Sequence, residues 1–404
     1  MRRPLNIVSV CRTLPNPDDP SGGIFVLNRL AAMAEHARVR VVQPLPFMPG
    51  LRPLPAWART QGRELRGLQI THAPMFYVPG AFKFADATWL ARAIAARIAR
   101  WHREEPIDAI DAHFGYPEGA GCLQVARRLG IPLFTTIRGF ETEYVHKPGI
   151  ARQMLGAMRA ASGCISVSYS LRELALTHGV ADERIRVIHN AIDAATFHWG
   201  ERDDARRTLQ LPTNAPLIVS VGHLVSRKRH HVLIEAFAKV QRQHPDALLA
   251  IIGARSFEPD YPRELQERAA ACGVAANTRF VGNVPPREVA VWLHAADAFA
   301  LGTAREGCCN AVLEALAAGA PVVTTPAGDN AQFVKDQANG YIVPIDATDE
   351  FGEALLATLS RQWDRRAISR ELLQRVGSWS AVGTRVLDFM SERVPQPGAV
   401  SLAV

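Results

Sequence analysis

The chain has 404 residues, 48% apolar and 21% charged, a composition that fits an ordinary globular protein of two domains. Its net charge of +7 comes almost wholly from arginine, with only five lysines, and the arginines scatter through helical stretches such as LARAIAARIARWHR. A nucleic-acid binder gathers its charge in a stripe with aromatics between, so nucleic acid is not an expected partner; the scattered arginines suit a solvated face, or attraction to anionic phosphates or a membrane surface.

The N-terminus MRRPLNIVSVC has two arginines and an apolar run of only about six residues, against ~7–15 for a secretory signal, with Pro15, Pro17 and DDP where a cleavage site would lie. It reads as a first buried strand, NIVSV, followed by a loop, the helix GGIFVLNRLAAMAEH and the strand VRVVQP. Residues 44–57 (PLPFMPGLRPLPAW) and 74–84 (PMFYVPGAFKF) then break the rhythm with prolines and aromatics. One reading is inward-packed loops; the other is an exposed acceptor or membrane surface.

Alternation resumes with AIDAHF, the helix EGAGCLQVARRLG, PLFTTI, the helix IARQMLGAMRAA, GCISVS, a helix from Tyr169 to His178, and IRVIH. Residues 194–215 are polar and end in the turn-rich PTNAP, as an interdomain connection would. The second half runs PLIVSVGHL, the helix HHVLIEAFAKVQRQHP, ALLAIIG, a helix near 262–272, TRFVGNV, PREVAVWLHAA and AFALGT. Strands alternating with helices in both halves predict two α/β units with parallel sheets, residues 1–195 and 196–378. No apolar run approaches the ~18 residues of a spanning helix. Cys11, Cys122, Cys164, Cys272, Cys308 and Cys309 have no metal-ligand spacing, and a chain of this size needs no disulfide framework, so burial in a cytoplasmic protein is expected for most of them.

The most informative stretch is EGCCNAVLEALAAGAPVVTTP, residues 306–326. Gly319 and Pro321 end a helix, PVVTT reads as a buried strand, and Glu314 sits among Ala, Val and Leu with no polar face to share. A glutamate is rarely buried without a partner. The helix start near Cys308–Asn310 offers N–H groups to a phosphate, and AFALGT delivers the chain to this point. Glu306 and Glu314 could then both face a ligand carrying phosphate and paired hydroxyls; alternatively they complement the helix dipole, which is adequate for Glu306 and weaker for Glu314.

The E-x7-E spacing followed by a small apolar run ending in G-x-P-V-V resembles the retaining glycosyltransferases of family 4. VSVGHLVSRKRHHVLIEAF, RFVGNVPPREVAVWLHAADAFALGTAREG, SGGIFVLNRLA and RIRVIHNAIDAATF are similar to further segments of that family, and WSAVGTRVLDFM to its closing helix, here 379–393, which packs back onto the first domain. The resemblance implies a GT-B fold, two facing Rossmann-like domains with an interdomain cleft, and a nucleotide-sugar donor held mainly by the second. It further implies that Glu314 holds the ribose hydroxyls, that Glu306 contacts the donor sugar beside the amides of Gly307, Cys308, Cys309 and Asn310, and that Lys228 faces the diphosphate. Gly22 and Gly23 would approach the phosphate and Gly282 would edge the base. No metal and no resident cofactor are implied, the nucleoside-diphosphate sugar being a substrate.

The sequence departs from the family pattern in three segments. His223 stands where an arginine is usual, leaving Arg227 or Arg229 to supply that charge, and Arg229 replaces a glycine after the lysine. The first-domain H-G-x-D loop appears as RGFE, so Arg138 replaces the histidine and Glu141 the aspartate; they either act on the reacting sugar or pair locally. His113 is a further acceptor-side candidate or a satisfied core histidine. The expected activity is sugar transfer to a glycan or lipid-linked acceptor in cell-surface or exopolysaccharide biosynthesis. That places the protein in the cytoplasm, with peripheral association at the inner face of an anionic membrane. The alternatives are a nucleotide-sugar epimerase of the same fold, which needs no acceptor, and a non-catalytic sugar-nucleotide binder. A dinucleotide oxidoreductase is disfavoured because Gly22-Gly23 lacks the G-x-G-x-x-G spacing.

Overall fold

The computed structural model describes residues 3–20, 22–255 and 258–395. The chain forms two compact units, one of residues up to Asn190 together with those from Trp379 onward, the other Ala191–Ser378.

Unit one is built on β1 (Asn6–Val10), β2 (Arg38–Phe47), β3 (Gly62–Leu65), β4 (Leu68–Phe76), β5 (Ala109–His113), β6 (Leu133–Ile137), β7 (Gly163–Ser166) and β8 (Ile185–Val187). They lie in the order β3-β4-β2-β1-β5-β6-β7-β8, parallel throughout except for the β3–β4 hairpin. Every residue of β1, β5 and β6 is buried, as expected for strands covered by helices on both faces. The hairpin turns at Arg66-Gly67, where both residues have positive φ, the geometry that suits the right-handed twist of its strands.

The proline-rich stretches only partly form loops. β2 continues through Pro44-Leu45-Pro46-Phe47 and pairs with Ala73-Pro74-Met75-Phe76 of β4. The prolines fit because they fall where no N–H is needed. In β2 the even-numbered residues bond toward β1, but that ladder ends at Val42, before Pro44 and Pro46. In β4 they bond toward β3, whose ladder ends at Thr71, before Pro74. Phe76 at the end of β4, and Leu51, Phe82 and Phe84 beyond the strands, are exposed.

The C-terminal helix Trp379–Ser391 packs in unit one against helix Ile24–Ala34, where Gly383 meets the backbone of Ala32 so closely that a Cβ would lie 2.8 Å from its carbonyl carbon.

Unit two contains β9 (Leu217–Val221), β10 (Leu248–Ile252), β11 (Thr278–Gly282), β12 (Ala298–Leu301), β13 (Val322–Thr324) and β14 (Gly340–Ile342). The sheet is parallel, in the order β11-β10-β9-β12-β13-β14, so the winding reverses between β9 and β12. The polar stretch 194–215 is not a simple connection: it holds helix Arg202–Thr208. Arg206 of that helix is wholly buried, pairs with Asp297 at 2.6 Å and donates to the carbonyls of Ala295, Pro212, Thr213 and Ala215. A charge this thoroughly satisfied can be buried, which is why polarity misled there. Among the described residues no helix is long and apolar enough to cross a membrane, and none of the six cysteines forms a disulfide.

Candidate functional site

In a doubly wound sheet, ligands sit beyond the C-terminal strand ends at the point of reversal. In unit two that point gathers the loops after β9 and β12. The first carries His223 and the turn Ser226–Lys228; the second carries Thr303 to Glu306. The N–H of Ala304 donates to Arg227 O at 2.9 Å, tying the loops together. Lys228 lies across Gly222, where a Cβ would touch its stem at 3.4 Å, and its Nζ reaches Glu306 Oε1 at 2.5 Å. Thr303 Oγ1 donates to the same oxygen at 2.8 Å.

Arg227 Nη1 lies 3.8 Å from Glu306 Oε2, whereas Arg229 adopts positive φ and pairs with Asp346 at 2.7 Å. His223 is exposed at the loop's mouth. Gly282 closes β11 with φ 87° and open space around its Cα, so the backbone there can lie against a flat ligand.

Helix Asn310–Ala317 starts just past Glu306, with Cys309 as its cap. The amide of Asn310 is not open to a phosphate, because it donates to Cys308 O at 3.0 Å, which narrows the expected cradle toward Gly307–Cys309. Burial pushes the Cys309 thiol up to about 12, so it is inert. Glu314 is not sealed in the core, as its neighbours suggested; it is partly exposed and no protein group donates to its carboxylate among the described residues. Its apolar surroundings push its carboxyl up to about 7, against the pull of Lys228.

Unit one holds a second polar cluster at its strand ends. His113 and Glu141 are completely buried and Arg138 nearly so. The Arg138 guanidinium lies over the ring of Phe25 and donates to His113 Nδ1 at 3.2 Å and Asn190 Oδ1 at 3.4 Å. His113 Nε2 faces Ser9 Oγ and Asp111 Oδ2, each at 3.0 Å. Accepting from Arg138 at Nδ1 fixes the proton on Nε2. Burial holds His113 down to about 4, so it is neutral, and Arg138 down to about 9. Asp111 would be raised by burial, but Arg29, bonded to both its oxygens at 2.9 and 3.0 Å, outweighs that and holds it low.

Glu141 does not pair with the Arg138 side chain. Its carboxylate accepts the backbone N–H groups of Arg138, Gly139 and Gly115 at 3.0, 2.8 and 2.8 Å, which makes it a brace between the loops after β5 and β6. His113 is likewise completely buried, held between Arg138 and the Ser9–Asp111 pair. Gly22 differs from expectation too: its N–H donates to Asp19 Oδ1 at 2.9 Å, and a carboxylate at that spot repels a phosphate. Gly23 has φ 68° and abuts Thr13 O, so it serves the turn into helix Ile24–Ala34.

Sequence reasoning missed Thr303, Arg29, Asp111 and Ser9. The signal for Arg29 was its being the only charge on a helix that is apolar but for Arg29 and Asn28; Thr303 gave none.

Residues 201–374 match the family described as Glycosyl transferases group 1, and residues 55–196 match Glycosyltransferase Family 4. The chain belongs to the family 4 glycosyltransferases. Its relatives include a D-inositol 3-phosphate glycosyltransferase of Xylanimonas cellulosilytica, 28% identical over 81% of this chain and 82% of that one. A Corynebacterium urealyticum protein of the same name is 32% identical over 49% of this chain and 48% of that one. Among solved structures, sucrose-phosphate synthase from Thermosynechococcus elongatus superposes with TM-score 0.78 at 18% identity, over 97% of this glycosyltransferase and 99% of that chain. Anabaena Alr3699/HepE, crystallised with UDP and glucose, gives 0.76 at 19% identity over 96% and 99%. These likenesses show that the glycosyltransferase has the GT-B fold.

Proposed function

We propose that this glycosyltransferase binds a nucleoside-diphosphate sugar in unit two and transfers the sugar, with retention, to a hydroxyl-bearing acceptor held by unit one. The observation that carries the reading is the cluster of Lys228, Glu306 and Thr303 beyond the strand ends at the reversal of the sheet, with the Glu314 carboxylate as a charge neighbour of Lys228 and no donor to it among the described residues. Glu314 accepts from the ribose hydroxyls, Lys228 and Arg227 meet the charge that grows on the departing diphosphate, and Glu306 holds the Lys228 ammonium and the sugar in register. These cations supply what a metal would otherwise supply. Arg138 offers fixed donors at the unit-one face, positioned by His113 and Asn190.

The acceptor we infer is a lipid-linked glycan of cell-surface or exopolysaccharide synthesis, met at the cytoplasmic face of an anionic membrane. Exposed Leu51, Phe76, Phe82 and Phe84 beside Arg52 support it. A soluble phosphorylated cyclitol, the acceptor implied by the names of the inositol phosphate relatives, is the second reading.

A screen of UDP- and GDP-sugars by ligand-observed NMR, with Glu314→Ala as control, tests the donor assignment: one donor should bind the wild type and lose affinity in the variant. A new sugar isomer formed from donor alone would replace transfer with epimerisation.

A further inference from the structure

Four polar side chains of unit one converge at the ligand-binding edge of its sheet and leave hydrogen-bonding capacity unused. Arg12 directly follows β1, Glu118 lies in the wide turn Gly115–Gly119 after β5, Tyr144 ends the short helix Glu141–Tyr144 after β6, and Asp86 begins helix Asp86–Glu104. Glu118 is completely buried; its Oε1 accepts from the backbone N–H and Nε of Arg12 at 3.2 and 2.9 Å, but its Oε2 has no partner among the described residues. Asp86 is 4% exposed, caps no helix amide, and its buried Oδ1 is also unpartnered. Burying an unsatisfied carboxylate oxygen is costly, and two in one place ask for an occupant.

The remaining groups define that occupant's chemistry. Among the described residues, the terminal nitrogens of Arg12 and the hydroxyl of Tyr144 have no hydrogen-bond partner, and both side chains keep an opening to solvent. The buried, unpartnered acceptors of Glu118 and Asp86 are thus charge neighbours of Arg12, whose terminal nitrogens are free donors. A single ammonium would satisfy the carboxylates but be repelled by Arg12, and a phosphate would do the reverse. Groups that both donate and accept fit all four, which is the property of a ring bearing several hydroxyls. Tyr144 meets Tyr116 edge-on at 5.9 Å and stacks on Phe140 at 6.1 Å, which fixes its ring and leaves its hydroxyl as the group it can offer.

We propose that Arg12, Asp86, Glu118 and Tyr144 form the seat of a polyhydroxylated ring, the sugar or cyclitol unit of the acceptor. This rests on the transferase reading, which the sequence positions of these residues did not single out. Burial raises Asp86 to about 6, with Lys83 and Arg12 opposing and Glu118 adding to the shift, so near neutral pH the seat has its carboxylates available to accept.

Ligand-observed NMR on the full chain tests the seat with uncharged probes: methyl glucoside, methyl galactoside, methyl mannoside and myo-inositol, with glucosamine as a cationic comparison. At least one neutral probe should bind the wild type and weaken ten-fold or more in Asp86→Asn and in Glu118→Gln. Asp86 has no hydrogen bond to lose, so its variant keeps the test valid if Glu118→Gln fails to fold. Equal binding by wild type and variants, no neutral probe binding at all, or preference for glucosamine that Asp86→Asn abolishes would each overturn the proposal. Nucleoside-diphosphate binding is measured alongside: if it persists while polyol binding fails, only the seat is lost, whereas its absence from the wild type removes the transferase assignment of unit two.

Discussion

Lys228 and Glu306 stand 78 positions apart in the chain and meet at 2.5 Å, with Thr303 fixing the carboxylate from its other side at 2.8 Å. Both side chains are about a tenth exposed or less, so the pair is shielded yet open at one edge. An exposed lysine in a basic run would show none of this.

Lys228→Ala should therefore reduce kcat about 100-fold or more, the usual scale for removing one preorganised charge from a developing anion. It should also move the pH dependence of nucleotide affinity upward, because Lys228 opposes the rise of the Glu314 carboxyl. Steady-state kinetics and a pH series of binding constants check both. Near-wild-type turnover in a folded variant would assign Lys228 to the surface and direct attention to Arg227.

Glu314→Gln keeps the shape and removes the charge. Losing charge-assisted hydrogen bonds costs about 1.5–3 kcal/mol, or roughly 10- to 150-fold in nucleotide affinity. Wild-type affinity should rise as pH passes through about 7, where the carboxyl ionises, and the variant's should stay flat. The sign for stability is opposite. A carboxyl raised from 4.5 to about 7 by folding favours the native state below 4.5 and loses that contribution as pH rises through 7. At pH 8 the glutamine variant should melt no lower than wild type, and an affinity unchanged by the substitution would remove Glu314 from the site.

Asp86 gives a cleaner stability test. Folding raises its carboxyl from 3.8 to about 6, so wild type loses this group's contribution across that interval while Asp86→Asn does not. The Tm of the variant minus that of wild type should grow from pH 4 to pH 7. A constant difference would mean that Asp86 is solvated.

Arg138→Gln should raise the pKa of His113 above about 4, since Arg138 is one of the groups that, after burial and with Arg29, depress it. Imidazole NMR chemical shifts against pH read this directly. No movement would detach Arg138 from the buried cluster.

Both parallel sheets were legible in the sequence because their central strands are buried on both faces and read as short apolar runs between turn signals. Glu314 was conspicuous because a charge among alanines has no local explanation. What could not be read was pairing at a distance. Arg206 looked like solvated polarity because its carbonyl partners carry no sequence signature, and Pro44, Pro46 and Pro74 looked like loop because the ends of the neighbouring ladders cannot be seen in one strand. Arg12, Glu118 and Asp86 were invisible for the same reason: they come from three separate segments of the chain, and what marks Glu118 and Asp86 is the bonds their buried oxygens fail to make.

The apolar lip of unit one supplies the last test. Tyr77 is flanked by two cations, Lys83 Nζ at 3.5 Å and the Arg52 guanidinium at 5.2 Å from the ring centre, while Phe76, Phe82 and Phe84 remain exposed around them. Lys83 also donates to Val78 O at 3.0 Å, so it is partly committed to the loop, and Arg52 is the more available charge. Aromatic side chains beside cations suit the level where lipid tails meet anionic head groups, with apolar insertion and charge attraction adding. Co-sedimentation with liposomes should then require anionic lipid and weaken with salt. Phe82→Ser and Phe84→Ser together should reduce binding at all salt concentrations, whereas Arg52→Ser should reduce chiefly the salt-sensitive part. Equal recovery with neutral and anionic vesicles, or none with either, would place the acceptor in solution and favour a soluble cyclitol phosphate over a lipid-linked glycan.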